Sequence, residues 1–333
     1  MPPLWRHTTV LLDEAVSALL GSPLADADAA PGWVVDGTLG RGGHTRELLQ
    51  RLPGQIGVIA LDRDPEALAA VRADATLQPH LASGRLRLVH SAFSGLPEAL
   101  RQQGLAPGQL AGLLLDLGVS SPQIDDPTRG FSFRHDGPLD MRMDPTRGES
   151  VADFLQRADE HTLIQVIRDY GEERFAPAIA KAIVAGQARG SVPRTTAQLS
   201  ALVAGAVKSR EPGKDPATRT FQALRIHING ELAELERVLD ASLSELAPGA
   251  RLAVISFHSL EDRCVKQFIR RHSQAAVDRR SPAYWAGAAD SAPLPLTALG
   301  RTLPGADEVA ANPRSRSAVL RVAERSGVQQ EAA

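Results

Sequence analysis

The chain has 333 residues, 43% of them hydrophobic, with a net charge of −2, so it can bury the cores of about two domains, and any nucleic-acid contact must come from local patches. Its single cysteine, Cys264, excludes an internal disulfide and a thiolate metal cluster and fits a reducing compartment. No apolar run approaches the roughly 18 residues of a membrane span, and residues 1–10 lack the apolar core of a secretion signal, so a soluble cytoplasmic protein is expected.

The first predicted strand is Trp33-Val34-Val35, ending in Asp36. A glycine-rich turn follows, Gly37-Thr38-Leu39-Gly40-Arg41-Gly42-Gly43-His44, and then a helical pattern through Leu48, Leu49 and Leu52. In a parallel α/β sheet this first turn is where a nucleotide-like cofactor lies, because glycines admit close backbone approach and the helix N-terminus offers free N–H groups. The spacing is not the G-x-G-x-x-G of dinucleotide enzymes. Asp36 would repel a pyrophosphate and favours a ligand with a positive charge near the turn, such as a sulfonium. A bland alternative is an ordinary tight turn with Asp36 and Asp62 capping helices.

The second strand, Ile56 to Leu61, ends in Asp62, placed to accept both ribose hydroxyls of an adenosine. A third, Leu86 to His90, ends near Phe93, Pro97 to Gln103 reads as a crossover helix, and a fourth strand, Ala111 to Leu115, ends in Asp116. Asp36, Asp62 and Asp116 therefore share the carboxyl edge of the predicted sheet, where ligands bind in such folds.

From Ser150 to about Val207 the apolar spacing is helical, with a capping box at Ser150–Asp153 and stops at Gly171 and Gly190. A long helix carrying Leu232, Leu235, Leu239, Leu243 and Leu246 runs to Pro248-Gly249. Arg251 to Phe257 then forms a fifth strand and Ala318 to Ala323 the last. Residues 273–312, rich in Pro, Ala and Gly, read as a long surface excursion. The expected organisation is a discontinuous sheet domain, 1–125 and 217–333, with an inserted helical domain at 126–216 that serves substrate recognition.

Several strings occur in an order that carries a family resemblance. They are His7 to Val16, the 36–44 loop, Leu61-Asp62-Arg63-Asp64-Pro65, Leu115 to Gln123, Arg129 to Phe133, Asp140 to Asp144, Ile255 to Asp262 and Asn312 to Ser317. With these the chain closely resembles the bacterial small-subunit ribosomal RNA methyltransferase H family, over nearly its whole length. The resemblance implies a Rossmann-like α/β sheet of the class I S-adenosylmethionine-dependent methyltransferases with an inserted small helical domain. It also implies an activity, methylation of N4 of a cytosine in the decoding region of 16S ribosomal RNA, with the 30S subunit as partner.

Carried over position by position, the resemblance assigns cofactor contacts to Gly42, Gly43, His44, Asp62, Phe93, Asp116 and Gln123. Loop N–H groups suit the methionine carboxylate, Asp62 the ribose, and Phe93 one face of the adenine, although a Phe at a strand end also serves as core. Amino methyltransferases of the DNA type place an acid-Pro-Pro-aromatic motif after the fourth strand. Here Asp116-Leu117-Gly118-Val119 keeps the acid but lacks the prolines and the aromatic; on the acid alone Asp116 is the candidate catalytic acceptor of the amine, beside its assignment as a cofactor contact.

His258 could act as a base; alternatively Ser259 caps the next helix, Asp262 completes its capping box and His258 packs. Asp140 and Asp144 lack the companions of a metal site, and methyl transfer needs no Lewis acid. Two basic clusters are candidates for phosphate contact or for solvated helix faces. One comprises Arg263, Lys266, Arg270, Arg271, Arg279 and Arg280, the other Lys208, Arg210, Lys214, Arg219 and Arg225. A methyltransferase acting on protein or metabolite, and an RNA scaffold that binds cofactor without turnover, remain open on the residues alone.

Overall fold

The computed structural model describes residues 9–22, 30–208, 215–274 and 294–327. Seven strands form one sheet: β1 (Gly32–Asp36), β2 (Ile56–Asp62), β3 (Leu86–His90), β4 (Leu110–Asp116), β5 (Leu246–Ser256), β6 (Leu296–Thr302) and β7 (Val319–Arg325). The order is β3-β2-β1-β4-β5-β7-β6; β1 to β5 are parallel, and β7 lies antiparallel between β5 and β6. That arrangement is the class I methyltransferase sheet, with its order reversing between β1 and β4, where the strand ends open a crevice.

The central strands read as unbroken apolar runs because both faces are covered. Val34, Val58, Ala60, Leu114, Ala253 and Ile255 join one core with the helices α1 (Leu12–Leu20), α2 (Gly43–Arg51) and α3 (Pro65–Arg72). Their alternates Val35, Ile59, Leu61, Leu113, Leu115, Leu252 and Val254 join the other. There they meet α5 (Leu96–Gln102), which follows the short α4 (Gln78–Ala82), together with α12 (Glu231–Glu245) and α13 (Ser259–Ser273). Arg85 ties the amino edge together, donating to the carbonyls of Leu49, Leu52, Pro53 and Ile56. Cys264 is half-buried, and burial, reinforced by Glu236 and Asp240, pushes its thiol up to about 11.

Of the predicted excursion 273–312, residues 275–293 lie outside the described residues, and 294–312 carry regular structure. That part contains β6 and a helix, α14 (Ala306–Ala311), followed by a 3₁₀ turn, Pro313–Ser317. After Leu296 every residue of β6 is exposed, so the strand has no alternating pattern to betray it.

Residues Val119–Glu231 form a second compact unit, wider than the expected 126–216. It contains α6 (Ser121–Asp125), α7 (Val151–Arg157), α8 (Glu160–Gly171), α9 (Ala176–Ala188), α10 (Thr196–Ala206) and α11 (Thr218–Asn229). The wider boundary has a packing cause, since Phe221 and Leu224 of α11 bury into the same core as Leu163, Ile167 and Ile183. Ser150 and Asp153 make the expected capping box of α7, and α8 ends at Gly171.

In this unit the strings 129–133 and 140–144 fold together. Met141 donates to the Arg129 carbonyl at 3.1 Å, and the buried Arg129 guanidinium donates to the carbonyls of Arg142 and Met143. Asn229 closes the knot, accepting from Met143 N–H at 2.8 Å and donating to the Met141 carbonyl at 2.8 Å. Gly130 (φ +74°) is obligatory, since a Cβ there would stand 2.3 Å from the Pro138 carbonyl oxygen. Asp140 is paired with Arg142 and Asp144 accepts from Thr146, so both motif acids are spent on local structure.

Candidate active site

The carboxyl edge of the sheet is built from the ends of β1, β2, β3, β4 and β5. Asp36, expected to face a cationic ligand, is fully buried instead. Its carboxylate accepts from Thr45 Oγ1 at 2.7 Å and from Thr38 N–H at 3.1 Å, and burial raises its pKa. Asp36 therefore clamps the loop onto α2, and the acids that remain on the rim are Asp62 and Asp116.

The loop is fastened on both sides. Gly37 N–H donates to the Leu114 carbonyl, Leu39 N–H to the Leu61 carbonyl, and Thr38 Oγ1 accepts from Asp116 N–H at 2.6 Å. Gly42 (φ +72°) is the N-cap of α2 with no side chain capping it. A Cβ at Gly43 would lie 1.9 Å from Thr9 Oγ1, so a side chain there would have to displace Thr9. The first-turn amides of α2 thus reach the rim without a capping side chain, a ready environment for a carboxylate.

Asp62 is held by two backbone donors, Gly40 N–H to Oδ2 and Asp64 N–H to Oδ1, both at 2.8 Å. Each oxygen keeps a second lone pair. Burial outweighs these hydrogen bonds and lifts the carboxyl to about 6. Phe93 opens the 3₁₀ turn Phe93–Gly95 after β3, half-buried, with its Cβ beside Gly37 and its ring edge of the second core. It is a wall of the crevice and a core residue at once.

Asp116 ends β4. Its Oδ1 is buried without a hydrogen-bond partner among the described residues, and its Oδ2 lies 3.7 Å from Nδ1 of the buried His44. Desolvation first, then the charges of Asp36 and Glu261, raise its pKa well above the ordinary range. A carboxyl so placed, with an unspent acceptor, is an expensive group to keep for folding alone.

Glu261 was missed in the sequence. It is buried, its Oε2 accepts from Phe257 N–H at 2.8 Å and His258 N–H at 3.3 Å, and its Oε1 lies 3.1 Å from His258 Nε2. The N-cap of α13 is thus His258 and its box partner Glu261, in place of Ser259 and Asp262. Asp262 instead holds Arg321 in a bidentate pair at 2.7 and 3.0 Å. The capping rule prefers Ser at the N-cap and so pointed one residue too far along, to Ser259 and Asp262.

Gln123 belongs to the helical unit, at the third position of α6, where its Oε1 accepts from Ser120 N–H at 2.9 Å. The edge of the sheet thus brings together Gly42, Gly43, His44, Asp62, Phe93 and Asp116, and Gln123 sits in the other unit.

The basic clusters are altered by the fold. Because α13 starts at the carboxyl end of β5 and runs back, its last turn borders Leu296 and Ser326 at the amino edge, so Arg270 and Arg271 lie away from the rim. Arg225 is neutralised by Glu231 at 2.8 and 2.9 Å. Arg210, Lys214, Arg279 and Arg280 lie outside the described residues.

The sequence pattern of the MraW methylase family matches residues 5–326. Ribosomal RNA small subunit methyltransferase H of Methylibium petroleiphilum is 58% identical over 324 residues, covering 97% of this chain and 96% of that protein. The same enzyme of Leptothrix cholodnii is 57% identical over 97% of this chain and 94% of its own, and that of Variovorax paradoxus 58% over 97% and 98%. Among the described residues no helix is long and apolar enough to cross a membrane.

Proposed function

The chain belongs to the MraW methylase family, and on that premise we propose that it methylates N4 of a cytosine in 16S ribosomal RNA, using S-adenosylmethionine, in the cytoplasm where small subunits are found. It is an S-adenosylmethionine-dependent RNA methyltransferase. The single observation that carries the residue assignment is the rim itself: a doubly anchored carboxylate at Asp62, an uncapped helix start at Gly42-Gly43, and an unspent buried oxygen on Asp116. These groups fit the cofactor's ribose, carboxylate and charged centre respectively.

When bound, the cofactor would supply an electrophilic methyl group on a sulfonium, the carbon–sulfur bond breaking to leave a neutral thioether. The protein's work is positional, because an in-line displacement needs the acceptor nitrogen held near the attack distance. Asp62 accepts the ribose hydroxyls, the first-turn amides of α2 hold the carboxylate, and Phe93 covers an adenine face. His44 backs Asp116, and Gln123 is assigned by the family pattern. Asp116 accepts a hydrogen bond from the cytosine amine, orienting its lone pair. As the N–C bond forms the amine loses one proton, and a carboxyl already lifted above its ordinary range is suited to take it. The helical unit Val119–Glu231 is assigned to substrate recognition.

The test is transfer of a labelled methyl group to 30S subunits, to total RNA and to a protein extract, followed by nucleoside analysis of the product. Label appearing as N4-methylcytidine in 16S RNA is expected; label in protein alone would overturn the proposal.

A further inference from the structure

One string that carried the family resemblance has no part in the cofactor site: Asn312-Pro313-Arg314-Ser315-Arg316-Ser317. It folds as the 3₁₀ turn before β7, and it is built to be rigid. Asn312 Oδ1 accepts from Arg314 N–H at 3.2 Å, while the fully buried Ser315 donates to the Asn312 carbonyl from both N–H (2.9 Å) and Oγ (2.8 Å). Ala318 N–H then returns to the Ser315 carbonyl at 2.8 Å, launching β7. With Ser315 pointing in, Arg314 and Arg316 are exposed on either side. Arg316 makes no hydrogen bond or ion pair among the described residues.

The strand register fixes where this turn sits. Asp116 pairs with Ile255, Ile255 with Leu320, and Leu320 with Thr302, one continuous row across β4, β5, β7 and β6. Because β7 is antiparallel, residues preceding Val319 stand at the carboxyl edge, the edge of Asp116 and Asp62. Two strand spacings separate β4 from β7, about 10 Å. Arg301, exposed next to Thr302 on β6, extends the positive surface in the same direction. In a chain of net charge −2, cations concentrated on a rigid turn at the reacting edge have a specific use.

We propose that the Arg314–Arg316 turn is a phosphate clamp that holds the ribosomal RNA backbone beside the acceptor cytosine, and that the arginines at the end of α13 are not. This rests on the RNA-methylating function proposed above. An exposed guanidinium presents paired donors to phosphate, and a pre-fixed backbone loses less freedom when it binds.

Binding of unmodified 30S subunits is measured against salt for the wild type, for Arg316→Ala, for Arg314→Ala/Arg316→Ala, and for Arg270→Glu/Arg271→Glu. Removing Arg316 should flatten the log–log salt slope by about 0.7 to 0.9 and weaken binding about five- to tenfold at 50 mM salt. The double variant should flatten it further, while the α13 reversal keeps the wild-type slope. Cofactor affinity by calorimetry should stay unchanged in all, which also reports folding. If Arg316→Ala keeps the wild-type slope and affinity, or if only the α13 reversal changes them, the clamp is refuted. A wild type that binds cofactor yet puts no label on RNA would instead overturn the underlying function.

Discussion

Gly40 donates its amide to Asp62 Oδ2 at 2.8 Å, so the glycine loop after β1 and the acid ending β2 form one rigid unit. Any change in the charge of Asp62 is therefore felt by the loop as well as by a bound ribose.

The carboxyl of Asp62 sits at about 6 because burial outweighs its two backbone hydrogen bonds. A bound ribose needs the ionised form as a double acceptor. Cofactor affinity should be flat above pH 7 and fall about tenfold per unit once pH drops below 6. Asp62→Asn should bind weakly at every pH and lose that dependence. Calorimetric titrations between pH 5 and 8 decide it; a parallel pH profile in the variant would remove Asp62 from the ribose site.

Asp116 is crowded by Asp36 and Glu261, and one of its oxygens has no hydrogen-bond partner among the described residues. Asp116→Asn should lower turnover about 10²- to 10³-fold while raising stability by about 1 kcal/mol. The sign follows from the raised pKa: the wild type's deficit builds as pH rises past the ordinary carboxyl value of 3.8 and is complete once pH passes the raised folded value, so the stabilisation should be full at alkaline pH and vanish in acid, where the carboxyl is protonated in both states. Thermal melts at several pH values, paired with single-turnover assays, test both halves.

Arg85 satisfies four carbonyls at the amino edge, including those that end α2. Arg85→Ala should cost about 2 to 4 kcal/mol in urea unfolding, and Arg85→Lys should recover less than half, since a point charge cannot reach the same fork of acceptors. Full rescue by lysine would show that charge alone was needed.

In the helical unit, Asn229→Ala strands the Met143 amide and the Met141 carbonyl, both buried. A loss of about 2 to 3 kcal/mol is expected, with hydrogen-exchange protection falling first at residues 141–143 and in α11. Uniform loss across the sheet instead would assign Asn229 a different role.

Much of this fold was legible because its signals are local and redundant. The central strands read as apolar runs ending in acids, the loop as a glycine cluster, and the helical unit as a change of period. What escaped has three physical causes. β6 is exposed on both faces, so it carries no burial pattern. Asp36 and Asp62 look alike in sequence, and the Thr45 hydroxyl, nine residues on, together with the Thr38 amide holds the first inward. The arginines at 270 and 271 follow the rim in sequence yet lie at the opposite edge, because a helix after a parallel strand must run back along it. The family resemblance supplied Gln123, for which no local pattern spoke.

The antiparallel placement of β7 has a consequence for synthesis. Residues 319–325 fill the gap between β5 and β6, so the hydrogen-bonding edge of β5 from Arg251 to Ser256 has no neighbour until the last described strand has left the ribosome. The bridge from β5 to β7 spans more than sixty positions in the chain, as in Ser256 with Val319, a long loop to close. During translation the nascent sheet therefore presents an open, sticky border for as long as that stretch takes to emerge. Chaperone dependence and losses to inclusion bodies should be governed by the final strand, however well the cofactor-binding half has already formed.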